Sequence, residues 1–235
     1  WGVERIFGVA ATDSFKRFVA NSHFFHANVA PAEWANFVPY AYLIDNKNLV
    51  SSSVNTYGVR VTGESPEYGN GLAVFYTAEY ATQKGSNNNP SRVKSHYTNF
   101  ELGAKNKMLS LKVGQELLSG NGTVAFMTPY ATLHKFNGWA DLFLATPVQG
   151  LKDSYVGLSA SAYELTATAT YHDFRADSTS MRFGNEINLS VSKNLPHNIN
   201  ILVKYADYRK KDTSNAANIT TNTKRFWLQT SVSFN

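Results

Sequence analysis

The feature that most constrains this chain is a rhythm. Segments of alternating apolar and polar residues recur along its length, and the connections between them alternate long and short. The clearest segment lies near the C-terminus. There Phe226, Leu228, Thr230, Val232 and Phe234 share one parity, and Arg225, Trp227, Gln229, Ser231 and Ser233 the other. Ile187, Leu189 and Val191 alternate with Glu186, Asn188, Ser190 and Ser192 in the same way, and Leu165, Ala167, Ala169 and Tyr171 alternate with Thr166, Thr168, Thr170 and His172. A period of two marks an extended strand with one apolar and one polar face.

The same count along the chain predicts about twelve strands, near 2–8, 22–30, 34–44, 54–62, 71–82, 95–105, 108–118, 153–162, 164–174, 182–193, 199–209 and 223–234. The connections at 31–33, 106–107, 163 and 194–198 are short. Those at 9–21, 45–53, 83–94, 119–152 and 210–222 are long, with 63–70 and 175–181 between. A soluble sandwich has no reason to sort its loops by end. A transmembrane barrel does, with short periplasmic turns, long extracellular loops and strands of about 9–11 residues.

Composition agrees. The chain has 235 residues, 14% aromatic and 17% charged, with 13 Tyr and 15 Phe, a mixture suited to strands and turns. No apolar run approaches the ~18 residues of a membrane helix. There is no cysteine, which excludes disulfides, thiolate metal sites and thiol catalysis. The net charge of +5 is scattered, with no cluster longer than Arg209-Lys210-Lys211, so nucleic acid is not an expected partner. The chain opens on "WGVERIFG", which reads as a start inside a strand, and strands are expected to be missing N-terminal to it.

Strand directions follow if the last strand ends on the periplasmic side. Tyr42, Tyr57, Tyr80, Tyr171, Tyr205 and Phe226 then fall on the apolar face at the extracellular end, and Phe234 falls at the opposite rim. That is the placement of an interfacial aromatic girdle. The polar parity carries Arg60, Glu79, Glu101, Lys112, Glu116, His172, Glu186, Lys204 and Arg225. A soluble core could not hold so many charges, whereas a water-filled lumen keeps them solvated. Hairpin arithmetic places Glu101 opposite Lys112 and Glu186 opposite Lys204. Pro39 lies inside a strand, where it removes a ladder hydrogen bond, and predicts a bulge or a change of register.

One stretch departs from the rhythm. In "ATLHKFNGWADLFLATP" (131–147), Phe136, Trp139, Ala140, Phe143 and Leu144 have helical spacing. A short helical insert in the longest loop is expected. It could narrow the lumen, lie on the membrane interface or cap other loops; we favour packing into or over the lumen, with His134, Phe136, Trp139, Asp141 and Phe143 as constriction residues. His172-Asp173 with Ser154 or Ser159 could be read as a hydrolase constellation, but nothing in the spacing selects one serine. These read as polar lumen or loop residues, with no catalytic role, and no metal or cofactor site is expected. "SGNGT" (119–123) lacks the lysine of a phosphate loop.

At the level of longer motifs, 131–158 ("ATLHKFNGWADLFLATPVQGLKDSYVGL") resembles the signature segment of alginate-export-type outer-membrane porins of Gram-negative bacteria. "YAYLIDN" (40–46), "TYGVRVTG" (56–63), "GQELLSGNG" (114–122), "TATYHDFRAD" (168–177), "VKYADY" (203–208) and "KRFWLQTSVSF" (224–234) extend the resemblance over nearly the whole chain. It implies an antiparallel β-barrel in the outer membrane, to which the chain, as one barrel domain over 1–235, would contribute about 12 of 16–18 strands. It further implies passive passage of small hydrophilic or anionic solutes, saccharides or alginate-like polymers included. The implied partners are outer-membrane lipids, lipopolysaccharide and the barrel-assembly machinery. The mixed sign of the lumen charges departs from the basic lumen of the alginate exporter. The competing reading is a barrel with a plugged lumen, acting as an enzyme or as a structural or adhesive protein.

Overall fold

The computed structural model describes residues 2–7, 17–32, 34–69, 71–87, 89–131, 137–212 and 219–233. They form one antiparallel sheet: β1 (Gly2–Phe7), β2 (Arg17–His26), β3 (Val29–Ala32), β4 (Ala35–Ile44), β5 (Val54–Glu64), β6 (Ala73–Gly85), β7 (Lys94–Lys105), β8 (Leu109–Leu118), β9 (Leu151–Ala162), β10 (Leu165–Arg175), β11 (Arg182–Leu195), β12 (Ile199–Lys210) and β13 (Thr223–Val232). Twelve of them follow one another in sequence order from β1 to β13, and short β3 pairs with β4 beside the path. Apart from β3, each strand is bonded to the strands before and after it in the chain, the up-and-down order of a barrel wall. No helix among the described residues is long and apolar enough to cross a membrane, which says nothing of strands.

The period-2 reading of the sequence becomes rows that cross the sheet. Leu111, Leu158, Ala169, Leu189, Tyr205 and Phe226 stand side by side on β8 to β13. Two residues along, Leu109, Ala160, Ala167, Val191, Val203 and Leu228 form a second such row. The leucines and Phe226 in these rows are exposed. Between them, on the other face, runs Ser110, Ser159, Thr168, Ser190, Lys204 and Trp227. Each cross-strand pair contributes roughly 0.2–1 kcal/mol, so the register is held by many small terms and by the backbone ladder.

Local chemistry explains the turns. Asn106 Oδ1 accepts from the N–H groups of Met108 and Leu109, closing the β7–β8 hairpin. The β9–β10 turn is Tyr163-Glu164, both at positive φ (50° and 61°), a two-residue hairpin without the usual Asn-Gly. The loop rhythm holds: 106–108, 163–164 and 196–198 sit at one end, and 45–53, 86–93, 119–150 and 211–222 at the other. Links 65–72 and 176–181 are intermediate.

Three expectations shift. β2 lies earlier than predicted, because His23 to His26 pair with Leu43 to Tyr40 while Val29 and Ala32 form separate β3. Pro39 leaves the β4–β5 ladder unbroken, pairing with Val59. Its carbonyl accepts from Ala27 N at 3.1 Å, so its missing N–H faces the break between β2 and β3, and the irregularity falls on the partner. Glu186 pairs with Tyr208, not Lys204, because the β11–β12 turn is centred at His197, two residues beyond the arithmetic.

The predicted helix is absent from the described part of the insert. Asn137, Gly138 and Asp141 have φ of 55°, 85° and 55°, and 137–150 is a series of turns and bends. Left-handed backbone at three of five positions cannot continue a right-handed helix. Among the described residues the helical structure is a three-residue 3-10 turn, Val50–Ser52.

Candidate functional site

The polar face is where chemistry gathers. Every polar-parity residue predicted from sequence shares it: Arg60 faces Glu79 across β5–β6, and His172 stands between Tyr155 and Glu186. Glu101, Lys112 and Glu116 lie on this side of β7–β8, Lys204 on β12 and Arg225 on β13.

Most of the charges meet partners there. Arg60 lies 3.6 Å from Glu79, which also accepts from the Tyr40 hydroxyl at 2.7 Å. Lys112 and the Tyr155 hydroxyl both donate to Glu101 Oε2, each at 2.8 Å. Glu101 and Lys112 are diagonal, not opposite: Glu101 pairs with Gly114 and Lys112 with Gly103. His172 Nδ1 sits 2.9–3.0 Å from both oxygens of buried Asp153 and stacks on Phe174. Glu116 accepts from the Tyr97 hydroxyl and from Asn137, each at 2.7 Å. Lys204 lies 4.2 Å from the Trp139 ring centre and 5.3 Å from that of Trp227. The face is mixed in sign, and its carboxylates are as often met by tyrosine as by a cation.

The His172-Asp173 pair does not exist as a site. Adjacent strand residues point to opposite faces. Asp173 takes Arg175 and Arg182 on the exposed side, and Ser154 takes Gln115 there. Ser159 pairs with Thr168, four residues from His172 along β10.

Tyr42 also corrects the girdle. It stacks on Tyr40 at 4.8 Å and lies tilted against Phe24 at 5.5 Å on the polar side, where its cross-strand partner Thr56 is buried beside Gln83. Tyr57, Tyr80, Tyr171 and Phe226 are exposed on the apolar side, with Tyr205 beside Phe226. Phe234, His134 and Phe136 lie outside the described residues.

The long loop is folded onto the polar face at the long-loop end. Gln83 on β6 bonds both backbone groups of Met127, donating to its carbonyl and accepting from its N–H, each at 2.8 Å. Asn137 reaches Glu116 on β8; the Ala140 N–H donates to Glu186 on β11 at 2.9 Å; Asp141 accepts from Arg225 on β13 at 2.6 Å. Phe143 is buried among Phe174, Phe183 and Tyr208, 4.5 Å from Phe174. Phe183 is able to join because a register shift at Phe174/Arg175 turns it inward. The main buried cluster of this sheet is thus loop against wall, not sheet against sheet. Gly138 is required: its φ is 85°, and a Cβ there would stand 2.6 Å from Glu186 Oε2. "SGNGT" is a turn in which Asn121 Oδ1 accepts from Thr123 and Val124 N–H groups.

Beside the loop lies a cavity of about 680 Å³, lined by Phe24, Tyr40, Tyr42, Tyr97 and Tyr130 with Glu79 and Glu116. Sequence reasoning missed Tyr40, Tyr97, Tyr155, Asp153 and Gln83. A signal was available for two of them, since Gln83 shares the parity of Glu79 on β6 and Tyr97 that of Glu101 on β7, whereas β4, which carries Tyr40, has no charged residue to set its polar face.

A structural device positions the tyrosines. Tyr155, Gly114 and Glu101 stand in one row on β9, β8 and β7, and the Tyr155 ring lies across the glycine to reach the carboxylate. A Cβ on Gly114 would stand 2.4 Å from the ring. Gly114→Ala should therefore break the Tyr155–Glu101 bond and destabilise the barrel by about 1–3 kcal/mol. Gly157→Ala, whose Cβ would meet the flexible Lys112 side chain at 3.3 Å, should cost less. Urea unfolding followed by heat-modifiable migration compares the two, and equal midpoints would discard the device.

No protein-family model and no curated protein matches the sequence. Solved structures do match in fold. Acinetobacter baumannii OccAB2 aligns over 88% of this chain at a TM-score of 0.69 and 13% identity. The outer membrane protein OprD from Pseudomonas aeruginosa aligns over 90% at 0.66 and 10%, and A. baumannii OccAB4 over 96% at 0.66 and 12%. The chain spans 55%, 60% and 57% of those three structures. At such identities the likeness is one of fold: an antiparallel barrel wall, the class that the alternation predicts.

Proposed function

We propose that this chain is a large part of the wall of an outer-membrane channel of a Gram-negative bacterium, one barrel domain that passes small hydrophilic solutes passively and catalyses no reaction. The observation that carries the reading is the sorting of the two faces. Exposed rows such as Leu111, Leu158 and Leu189 cover one side, and charged rows cover the other. A buried leucine gains about 1.5–3 kcal/mol over an exposed one, so whole rows left in water would be costly, whereas lipid removes that cost. The fold likeness to solved outer-membrane barrels supports the same reading.

The alginate-type resemblance of 131–158 supports an outer-membrane barrel, but not a polyanion as solute. Arg60, Lys112 and Arg225 each face a carboxylate, and Glu116 and Glu186 add further negative charge to the wall. Neutral or weakly charged solutes, saccharides among them, fit such a face and the tyrosine-lined cavity beside the loop.

The test is conductance of the full-length protein in planar bilayers. Ion current is expected, and its absence from an intact barrel would sink the channel reading in favour of a plugged one. Replacing Arg60, Lys112, Lys204 and Arg225 by Glu should move the reversal potential toward cation preference. An unchanged potential would place these four outside the conduction path.

A further inference from the structure

On the exposed face, above the aromatic residues, the sheet carries a built band of cations that the pathway does not use. Reading outward along the strands, the row of Tyr205 and Phe226 is followed by Tyr171, Ile187, Asp207 and Lys224. Next come Asp173, Asn185 and Arg209, and then Lys152, Arg175 and Arg182 side by side on β9, β10 and β11. Like charges directly opposite one another destabilise a sheet, so three in one row call for an anion. Asp173 supplies part of it, accepting from Arg175 Nε at 2.7 Å and Arg182 at 3.0 Å. Asp207 does the same for Arg209, at 2.7 and 2.9 Å, with Lys224 at 3.9 Å. Four cations thus share two carboxylates, with Lys152 beside them, and Asp212 accepts from the Arg182 N–H at 2.7 Å, so five cations stand against three carboxylates. The side chains of Arg175, Arg182, Arg209 and Lys224 are 44–60% accessible.

Resting on the outer-membrane reading above, we propose that this band on β9–β13 is a docking surface for the phosphate groups of lipopolysaccharide in the outer leaflet. The position fits. Arg175 lies four residues beyond Tyr171, roughly 13 Å along the strand, where phosphates lie above an interfacial aromatic belt. The chemistry fits too. Arginine presents a planar donor fork to phosphate, and Asp173 and Asp207 each hold arginine side chains that remain about half accessible. The charge excess is positive, complementary to a phosphorylated saccharolipid.

The full chain is reconstituted in phosphatidylcholine nanodiscs with and without lipopolysaccharide, and lipid retention is read by native mass spectrometry. The triple variant Arg175→Gln/Arg182→Gln/Arg209→Gln is compared with Lys107→Gln/Lys193→Gln, which removes charge at the opposite end of the sheet. Wild type and the control pair should retain lipopolysaccharide, and the triple variant should lose about tenfold or more, on the scale of surface Lys/Arg contacts to anionic lipid. Equal retention by the triple variant overturns the proposal, as does equal loss in the control pair. If the band instead joins two copies of the chain, crosslinked dimer disappears in the triple variant with retention unchanged, which also overturns it. Failure of wild type to enter any nanodisc rejects the outer-membrane reading itself, whereas entry without preference for lipopolysaccharide rejects this docking surface alone. Heat-modifiable migration verifies that each variant is folded.

Discussion

Deleting residues 132–147 and joining the ends with a Gly-Ser linker should raise single-channel conductance severalfold. The loop is tied to the wall on β6, β8, β11 and β13 through Gln83, Glu116, Glu186 and Arg225. Those four strands span most of the polar face, so removing the middle of the loop uncovers the surface that solutes would pass. The deletion takes away Asn137, Ala140 and Asp141, three of the four ties, and leaves Met127 on Gln83. It also removes the Asn137 bond to Glu116 and the Ala140 bond to Glu186 and so uncovers both carboxylates, which should make the wider pore more cation-preferring. Bilayer recording gives both values at once. A conductance equal to wild type, in a barrel that migrates as folded, would remove the loop from the conduction path.

Phe143→Ala should release the loop while leaving the barrel intact. Phe143 is buried against Phe174, Phe183 and Tyr208, and truncating a buried phenylalanine costs about 3–5 kcal/mol. The loss falls on loop-to-wall packing and not on the strand ladder, so it acts on the local opening equilibrium. At 1.4 kcal/mol per factor of ten, opening becomes more than about a hundredfold more frequent. Limited proteolysis within 119–150 should accelerate accordingly, with the β circular-dichroism signal and heat-modifiable migration unchanged. Phe226→Ala, on the exposed face, should leave cleavage of the loop unaffected. Barrel unfolding in step with loop cleavage would show that the cluster holds the wall itself.

The strands were legible because each reports its own periodicity. Eleven of the twelve predicted segments coincide with observed strands to within about three residues at either end; the exception is β2, which lies earlier than predicted. Alternation needs no knowledge of neighbours, since a residue of one parity must face one side. The polar parity was legible for the same reason. Register was less so, because a hairpin turn of two or three residues shifts every pairing, and nothing in Leu195-Pro196-His197-Asn198 announces where the turn is centred. Tyr42 was misplaced because tyrosine is at home on either face: it suits a lipid interface and equally a stack on Tyr40.

The insert was misread for a different reason. Aromatics at 3.6 spacing indicate a helix only if the backbone between them can be helical, and Asn137-Gly138 breaks it. Its aromatic residues still do what amphipathic helices do, burying one set of side chains, but against the wall and in irregular backbone, with the Ala140 N–H donating to Glu186.

By itself the sequence determined the class of fold, the sidedness of each strand and the separation of long loops from short turns, because these follow from local pattern and chain connectivity. The tertiary structure decided which tyrosine meets which carboxylate, that His172 pairs with Asp153 and not Asp173, and that the longest loop lies on the charged face anchored by Phe143. Those outcomes depend on strand offset and on contacts between residues far apart in the chain, and no local periodicity carries that information.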